Sequence, residues 1–300
     1  MKAKNLFKYI RHPLEFFYKQ ARKGRLDWMP DKLYLQLMYR RFTGKPLHLK
    51  HPRTFNEKLQ WMKLYDRNDA YTTMVDKVLV KDYVARKIGE KYIVPTIKVW
   101  DKVEDVDFDA LPNQFVIKCS HDSGGLVICK DKEKLDRQGS IEKLSKCLKY
   151  NYFPLWREWP YKNVKPRIIV EELLSDGNDS INDYKVMCFN GEPRLIQLHI
   201  GRFSEHTQDF YDTEWNRLPI VQGTPMAKDV AEKPPVLKEM LELSAAISAG
   251  IPQVRVDWYW TGKKLYFGEI TFFDASGFED FEPDEYNEIL GSWITLPKRR

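Results

Sequence analysis

Hydrophobic and polar residues alternate in short runs from about residue 96 onward, as in β-strands. Apolar or alternating segments predict strands at 96–100, 115–117, 126–129, 167–170, 184–189, 194–200, 254–260 and 265–272. Asn190-Gly191 lies between two of them, which favours a tight hairpin. A Gly- and Ser-containing turn joins the strands at 115–117 and 126–129, so a second hairpin with a flexible tip is expected there.

Helical periodicity marks the remaining long segments. Apolar residues recur at three- and four-residue steps across 53–86, 131–150 and 235–249. Strands and helices together predict an α+β fold. With 300 residues and no internal repeat, the chain should form two or three closely packed lobes.

Composition supports a globular protein of the cytoplasm. Hydrophobic residues make up 43% and aromatic residues 14% of the chain, which is enough for a core. No run of about 18 apolar residues occurs, and the N-terminus lacks the apolar stretch of a signal peptide. The four cysteines form no C-x-x-C pair, so free thiols are expected at Cys119, Cys129, Cys147 and Cys188.

The formal charge of +6 is concentrated in the first 30 residues. These hold eight Lys or Arg against two acids, and the rest of the chain is neutral. This basic arm also contains Phe16, Phe17 and other apolar residues, so it could lie on the anionic inner surface of the cytoplasmic membrane. The alternative is a helix packed on the body with a solvated basic face. Nucleic acid is not an expected partner, because the basic excess does not extend into the body.

A candidate phosphate site follows the strand at 115–117. A strand lysine beside a mobile Gly/Ser loop can direct an ammonium group and backbone N–H donors at phosphates. Replacing that lysine, Lys118, is expected to weaken ATP binding and leave the unliganded stability unchanged. The alternative is an ordinary surface hairpin. The candidate loop residues are Ser120, His121, Ser123, Gly124 and Gly125.

Two further acidic segments suit other parts of a nucleotide. The strand ending in Glu171, Glu172, Leu173 and Leu174 can offer backbone groups and an apolar wall to adenine, and Asp183 can accept from ribose hydroxyls. Asp257 and Glu269 on neighbouring strands provide the hard oxygen ligands that Mg²⁺ prefers. Two solvated charges on a hairpin are the alternative for the latter pair.

The pairing of the last two strands can be predicted from the turn between them. A three-residue Gly262-Lys263-Lys264 loop would pair Thr261 with Leu265, and would set Asp257 opposite Glu269 and Arg255 opposite Thr271. The acids would then share one face. The other face would be apolar, with Val256, Trp258 and Trp260 against Tyr266, Gly268 and Ile270.

Several strings of residues together resemble the TupA-like branch of the ATP-grasp superfamily, whose members are associated with bacterial surface polysaccharide and teichuronopeptide synthesis. The resemblance covers roughly residues 50–297. It is carried by Asp76-Lys77 with Lys81, Phe115-Val116-Ile117-Lys118, Lys165-Pro166-Arg167-Ile168-Ile169-Val170-Glu171, Asp183-Tyr184-Lys185, Arg255-Val256-Asp257 and Phe267-Gly268-Glu269-Ile270-Thr271.

The resemblance implies an ATP-grasp fold in which two α+β lobes clasp the nucleotide, with an N-terminal helical arm. The implied divisions are the arm at 1–50, a pre-ATP region at 51–114, a lid with the glycine loop at 115–170, and a C-terminal part with the metal-binding hairpin at 171–297.

The resemblance also implies roles for individual residues, with ATP and Mg²⁺ as cofactors. Lys77 and Lys118 would contact phosphates, Lys185 the triphosphate, and Arg255 the transferred phosphoryl group. Glu171 to Leu174 would form the adenine hinge and Asp183 would approach the ribose. Asp257 and Glu269 would hold the metal together with Thr271, where many relatives have Asn. Asp122 stands where related loops often have Gly.

The implied function is an ATP-dependent ligase that joins a glycan carboxylate, such as a uronic acid, to an amine. A glycosyltransferase is the first alternative, with Asp107-Phe108-Asp109 as its D-x-D motif, although a solvated turn explains that motif better. A non-catalytic ATP-binding assembly protein is the second, because Thr271 is a poor metal ligand.

Overall fold

The chain folds into helices and antiparallel strands in the computed structural model, which describes residues 12–122, 124–177, 181–202 and 204–299. The helices are α1 (Pro13–Ala21), α2 (Asp31–Thr43), α3 (Phe55–Tyr65), α4 (Ala70–Val75), α5 (Leu79–Ile88), α6 (Arg137–Leu148), α7 (Phe153–Trp156), α8 (Leu237–Ser248) and α9 (Glu285–Ser292). The strands are β1 (Thr96–Trp100), β2 (Phe115–Cys119), β3 (Leu126–Cys129), β4 (Ile168–Glu171), β5 (Asp183–Phe189), β6 (Glu192–Ile200), β7 (Thr207–Tyr211), β8 (Arg217–Leu218), β9 (Gln253–Trp260) and β10 (Leu265–Thr271). The predicted α+β class is confirmed.

The strands form two antiparallel sheets. The small sheet has four strands in the order β1-β4-β2-β3, and the large sheet has six in the order β10-β9-β5-β6-β7-β8. All eight predicted strands are present within a few residues, whereas β7, β8, α7 and α9 were not predicted. The helical pattern predicted at 53–86 is present as three helices, α3, α4 and α5. Asp76 causes the last break, since its carboxylate accepts from the backbone N–H of Val78 at 2.9 Å where α5 begins.

The small sheet has one apolar face and one mixed face. Phe115, Ile117 and Val170 are fully buried and pack with Leu144 of α6 in a separate small core. Because side chains alternate along a strand, Val116, Lys118 and Glu171 project to the opposite face. That face is turned towards the large sheet.

The large sheet is covered on one face by α8, where the Trp258 indole donates to the Ser244 hydroxyl at 2.8 Å. One end of its other face is covered by α3, where Phe55 packs on Phe189 with ring centroids 6.2 Å apart. At the other end, this face of the large sheet lies opposite the small sheet, with a cleft between the two sheets.

The described part of the basic arm packs on the body. Phe17 of α1 contacts Tyr34 of α2 with ring centroids 5.4 Å apart, and the buried guanidinium of Arg157 donates to the Leu26 carbonyl at 3.0 Å. This arrangement matches the packed-helix alternative for residues 12–30, while residues 1–11 lie outside the described residues. Among the described residues no helix is both long and apolar enough to cross a membrane.

The β9–β10 hairpin differs from the predicted pairing near its turn. Trp260, and not Thr261, is the last paired residue and lies opposite Leu265, so the loop has four residues. A β-bulge between Phe267 and Ile270 restores the predicted register, because Arg255 lies opposite Thr271 as expected.

The bulge also changes which residues of β10 face the core. Leu265 and Phe267 are buried, each with 3% of its surface exposed, whereas Tyr266 and Gly268 are not. The predicted core positions of the latter two are therefore wrong. The bulge requires glycine at 268, since a Cβ there would lie 2.9 Å from the ring of Tyr259.

Candidate active site

A cleft between the two sheets collects most of the predicted site residues. The small sheet contributes Val116, Lys118, Leu126, Ile128 and Glu171, and the large sheet contributes Asp183, Asp257, Tyr259 and Glu269. Further lining comes from connecting segments, with Lys77, Val94, Asp122, Gly125, Glu172, Leu173, Leu174, Ile181 and Arg202 among them. Predicted residues that are far apart in sequence thus meet in one place.

Lys77 ties the glycine loop to the acidic side of the cleft. Its Nζ donates to the Asp122 carbonyl at 2.6 Å and lies 3.9 Å from a Glu269 oxygen. The Asp122 carboxylate accepts from the Gly125 N–H at 3.1 Å. The residue that stands in place of the usual glycine therefore closes the loop upon itself and is not directed only at phosphate.

Of the other loop residues predicted to bind phosphate, Ser120 and His121 bond to neighbouring backbone groups and Gly124 is exposed. Ser120 is fully buried, and its hydroxyl donates to the Lys165 carbonyl at 3.2 Å and accepts from the Arg167 N–H at 3.1 Å. Nε2 of His121 lies 3.1 Å from the Cys147 carbonyl oxygen, which also directs this ring away from the cleft. Gly124 is exposed at the tip. Ser123 lies outside the described residues.

Glu171 holds two lysines at the centre of the cleft wall. Its carboxylate oxygens lie 2.5 Å from Nζ of Lys118 and 2.5 Å from Nζ of Lys81. Burial acts to raise the pKa of Glu171, but the two ammonium groups outweigh it and the pKa is lowered. Burial in turn lowers the pKa of Lys81. The side chain of Glu171, which was predicted to belong to the adenine hinge, therefore positions Lys118, the lysine that was predicted to bind phosphate.

The segment after β4 forms an apolar end of the cleft. Glu172, Leu173 and Leu174 line it together with Val94 and Ile181. This lining suits the flat apolar faces of adenine.

The floor of the cleft is a network of buried charges centred on Arg255. The guanidinium binds both carboxylate oxygens of Asp257 at 2.7 and 2.8 Å, bonds to Asp274, and lies 3.4 Å from a Glu269 oxygen. Lys185 bonds to the same Asp257 carboxylate. The two predicted catalytic cations thus hold one of the predicted metal ligands.

The network keeps its acids ionised. Burial acts to raise the pKa of Asp257, but Arg255 and Lys185 outweigh it and the pKa is lowered. Glu269 behaves in the same way, with Lys77 as the main cation that lowers its pKa against burial.

The acids fit a magnesium ion that is shared with a nucleotide. Within the described ranges no group of three or more His, Cys, Asp or Glu side chains is arranged to hold a metal. Mg²⁺ in nucleotide sites needs only one or two carboxylates, since phosphates and waters complete its shell. Asp257 and Glu269 line the same cleft and meet that need. The hydroxyl of Thr271 accepts from Arg255 at 3.2 Å, so it is already used within the network.

The sequence analysis missed Arg202, which lies after β6 and reaches Asp183. Its guanidinium donates to the Asp183 carboxylate at 2.8 Å, at the edge of the cleft. Asp183, followed by burial, raises the pKa of Tyr259 well above its ordinary value. The predicted ribose acceptor is therefore paired with a cation. No motif marks Arg202, because its position depends on strand pairing.

The D-x-D acids lie elsewhere. Asp107 accepts from the backbone N–H of Asp109 at 3.0 Å, and Asp109 forms an ion pair with Arg137 of α6 at 2.8 Å. Phe108 between them is buried in the small core. The acids therefore stabilise a turn on the far side of the small sheet, as the alternative explanation of this motif has it.

The family model for TupA-like ATP-grasp proteins matches residues 57–295. The chain belongs to this family. The match spans both sheets and every residue that lines the cleft, and the predicted ATP-grasp fold and the cofactors ATP and Mg²⁺ are confirmed by it. A search of curated proteins found no significant match.

Solved ATP-grasp structures are only distantly similar to this TupA-like protein. D-alanine–D-alanine ligase from Bacillus anthracis, complexed with ATP, is 18% identical, with a TM-score of 0.38 over 67% of this chain and 54% of the ligase. The Helicobacter pylori D-alanine–D-alanine ligase is 13% identical, with a TM-score of 0.42 over 80% of this chain and 69% of the ligase. The ATP-grasp ligase PsnB, complexed with a phosphomimetic variant of minimal precursor, Mg and ADP, is 11% identical, with a TM-score of 0.42 over 79% and 64%. The chain spans just over half of the B. anthracis ligase, and likenesses at this level add nothing to the family assignment.

Proposed function

We propose that this protein is an ATP-dependent carboxylate–amine ligase that modifies a uronic-acid-type glycan in bacterial surface polysaccharide biosynthesis. One observation carries the proposal: the cations predicted to bind phosphate and the acids predicted to bind metal line one cleft. Lys77 and Lys118 line it with Asp257 and Glu269, beneath an apolar end suited to adenine. The resemblance to polysaccharide-associated proteins supports a glycan as the carboxylate substrate.

The proposed reaction has two bond exchanges. An oxygen of the acceptor carboxylate attacks the γ-phosphorus, and the bond from that phosphorus to the bridging oxygen breaks, which releases ADP. The nitrogen of the amine then attacks the acyl carbon, phosphate leaves, and the amine proton passes to solvent. Both carboxylate and phosphate are anions, so the first exchange needs nearby positive charge.

The cations of the cleft supply that charge. Lys118 and Lys77 are placed to hold phosphates, and Glu171 fixes the ammonium group of Lys118 before any ligand binds. Arg255, held by Asp257, is the candidate for the transferred phosphoryl group. Mg²⁺, when bound by Asp257 and Glu269, supplies further neutralisation of phosphate charge.

Two measurements test the function. We expect Mg-ATP, and not Mg-UDP-glucose, to raise the melting temperature, because a ligand that binds the native state stabilises it and the proposal assigns the cleft to ATP. We also expect ADP release to require both a uronate and an amine. Stabilisation by the sugar nucleotide alone would favour a glycosyltransferase, and ATP binding without ADP release over a broad panel of acceptors would favour an assembly protein.

A further inference from the structure

The floor of the cleft continues past Asp183 and Lys185 onto β6 and β7. Asp183 pairs with His199, which pairs with Gln208, and in the next row Lys185 pairs with Gln197. Directly opposed residues of antiparallel strands share a face. The side chains of Gln197, His199 and Gln208 therefore lie on the same face as the charged floor.

Several polar atoms of these side chains are buried and lack a hydrogen-bond partner among the described residues. Gln197, Gln208 and Gln222 are 3%, 4% and 3% exposed, and Nε2 of Gln197 donates to Oε1 of Gln222 at 3.1 Å. The remaining amide atoms of that pair, Oε1 of Gln197 and Nε2 of Gln222, have no partner within the described residues, and neither does Nε2 of Gln208. Buried polar atoms are nearly always paired. Three such atoms in one place could be satisfied by a bound polar group or by water.

His199 and His206 lie between these buried amides and the solvent-exposed edge of the sheet at Arg202. Nδ1 of His199 lies 2.8 Å from Nε2 of His206, and the rings stack with centroids 5.1 Å apart. Nε2 of His199 is also buried without a partner in the described part of the chain. Both histidines are half-buried, and Arg202 beside them is exposed. The row therefore leads from solvent to the charged floor.

The hydrogen-bonding surface is uncharged. Burial, Lys185 and Arg255 lower the pKa of His199 to about 2, so this ring is neutral near pH 7. Amides offer both a donor and an acceptor. A hydroxyl group also has both, whereas an ammonium ion would need a carboxylate to pair with, and the carboxylate beside these amides, that of Asp183, is already paired with Arg202 at 2.8 Å.

We propose that Gln197, Gln208, Gln222 and the His199–His206 pair form the acceptor subsite, which binds the hydroxyl groups of a sugar ring. The inference rests on the proposed ligase function, because it takes the cleft as the place of phosphoryl transfer. A uronic acid bound there would direct its carboxylate to Lys185, which pairs with Gln197, and to the guanidinium of Arg255, which binds Asp257 beside Lys185. The amine substrate must then enter from another side.

The subsite can be tested by binding, without turnover. Sodium glucuronate is titrated into the full-length protein saturated with Mg²⁺ and a non-hydrolysable ATP analogue, with calorimetry as the readout. Gln197→Met and Gln222→Met keep the side-chain length but remove the amide, and each should raise the Kd for glucuronate about 10-fold or more, since an acceptor or donor is lost. The Kd for the ATP analogue should change less than about 2-fold.

Gln253, at the other end of the large sheet, provides a matched control. Gln253 on β9 is 1% exposed, and both of its amide side-chain atoms also lack a partner among the residues that the structure describes, but it pairs with Phe189, away from the cleft. Gln253→Met should leave glucuronate binding unchanged. Gln197→Glu, which adds a negative charge, should weaken binding of glucuronate more than binding of glucose.

The outcomes separate this inference from the ligase function. Unchanged glucuronate affinity in folded Gln197→Met and Gln222→Met proteins would overturn the subsite and indicate that the amides hold only water. Absence of glucuronate and glucose binding to the wild-type protein would overturn it as well. Gln197-dependent binding without ADP release on adding amines would instead overturn the ligase function and leave the subsite standing.

Discussion

Lys118 and Lys81 share one carboxylate but differ in their access to the cleft, which allows a matched test of the phosphate site. Each ammonium group lies 2.5 Å from an oxygen of Glu171. Lys118 lines the cleft, whereas Lys81 is not among the lining residues and also donates to the Val94 carbonyl at 2.7 Å. The variants Lys118→Met and Lys81→Met therefore each remove one of the two ion pairs of Glu171, but only the first also removes a cation that lines the cleft.

The expected loss of stability follows from the burial of the pair. The side chains of Lys118, Lys81 and Glu171 are 20%, 14% and 7% exposed, so solvent screens them little. A hydrogen bond to a charged group contributes about 1.5–3 kcal/mol. The loss should stay below the roughly 3–5 kcal/mol of a fully broken buried pair, because Glu171 keeps its second lysine. At about 2–4 °C per kcal/mol, each variant should melt about 3–12 °C lower.

This expectation corrects the sequence-based one, which assumed that Lys118 could be removed without loss of unliganded stability. The effect on nucleotide binding should still be specific. Lys118→Met also loses a contact with phosphate of similar energy, so its Kd for Mg-ATP should rise about 10- to 100-fold. Lys81→Met acts only through Glu171 and should change the Kd less than about 3-fold.

Calorimetric titration with Mg-ATP and thermal melting of the free proteins provide both quantities. Equal changes of ATP affinity in the two variants would refute the assignment of Lys118 to phosphate. An unchanged ATP affinity in Lys118→Met, together with a lower melting temperature, would reduce this lysine to a structural partner of Glu171.

Three other predictions follow from the charges described above. Glu269→Gln should lower magnesium-dependent ADP release at least about 100-fold, as an ADP-release assay would detect, and near-normal turnover would remove Glu269 from the metal site. Because the pKa of Glu171 is lowered in the folded protein, the ionised carboxylate stabilises the fold; this contribution is complete above the unfolded pKa of 4.5 and is lost as pH falls through the folded pKa. The melting temperature of Glu171→Gln should therefore depend less on pH below about 4.5 than that of the wild type. Charge reversal of Arg22 and Lys23 should reduce flotation with anionic liposomes, and equal flotation at low and high salt would contradict a membrane role.

Sequence periodicity was sufficient for most of the strands because it reports a local property. Alternation placed Val116 and Lys118 on one face and Phe115 and Ile117 on the other, as the structure has them. The meeting of Lys118, Asp183 and Asp257 in one cleft could be expected only from the resemblance to a family, because no local pattern brings two sheets together. The proposed domain boundaries stay predictions.

Features that depend on pairing between strands were missed or wrong. Counting back from Gly262 assumed uninterrupted pairing, and the bulge at Gly268 changed the faces of Tyr266 and Leu265. Periodicity cannot reveal a bulge, since it depends on the neighbouring strand. Arg202 was missed for the same reason: its partner Asp183 is on another strand.

Most charged groups of the cleft are paired with one another, and this arrangement has a consequence for ligand binding. Lys118 is held by Glu171, Arg202 by Asp183 and Arg255 by Asp257. Buried charges without partners are costly, so a cleft that must hold several cations for phosphate needs acids that hold those cations when no ligand is bound. A triphosphate with its metal brings both signs of charge, and it can therefore bind without leaving either the cations or the acids unpaired. The pairing of Arg255 with Asp257 then explains why both sit on one short stretch of β9, since each keeps the other ionised and in place.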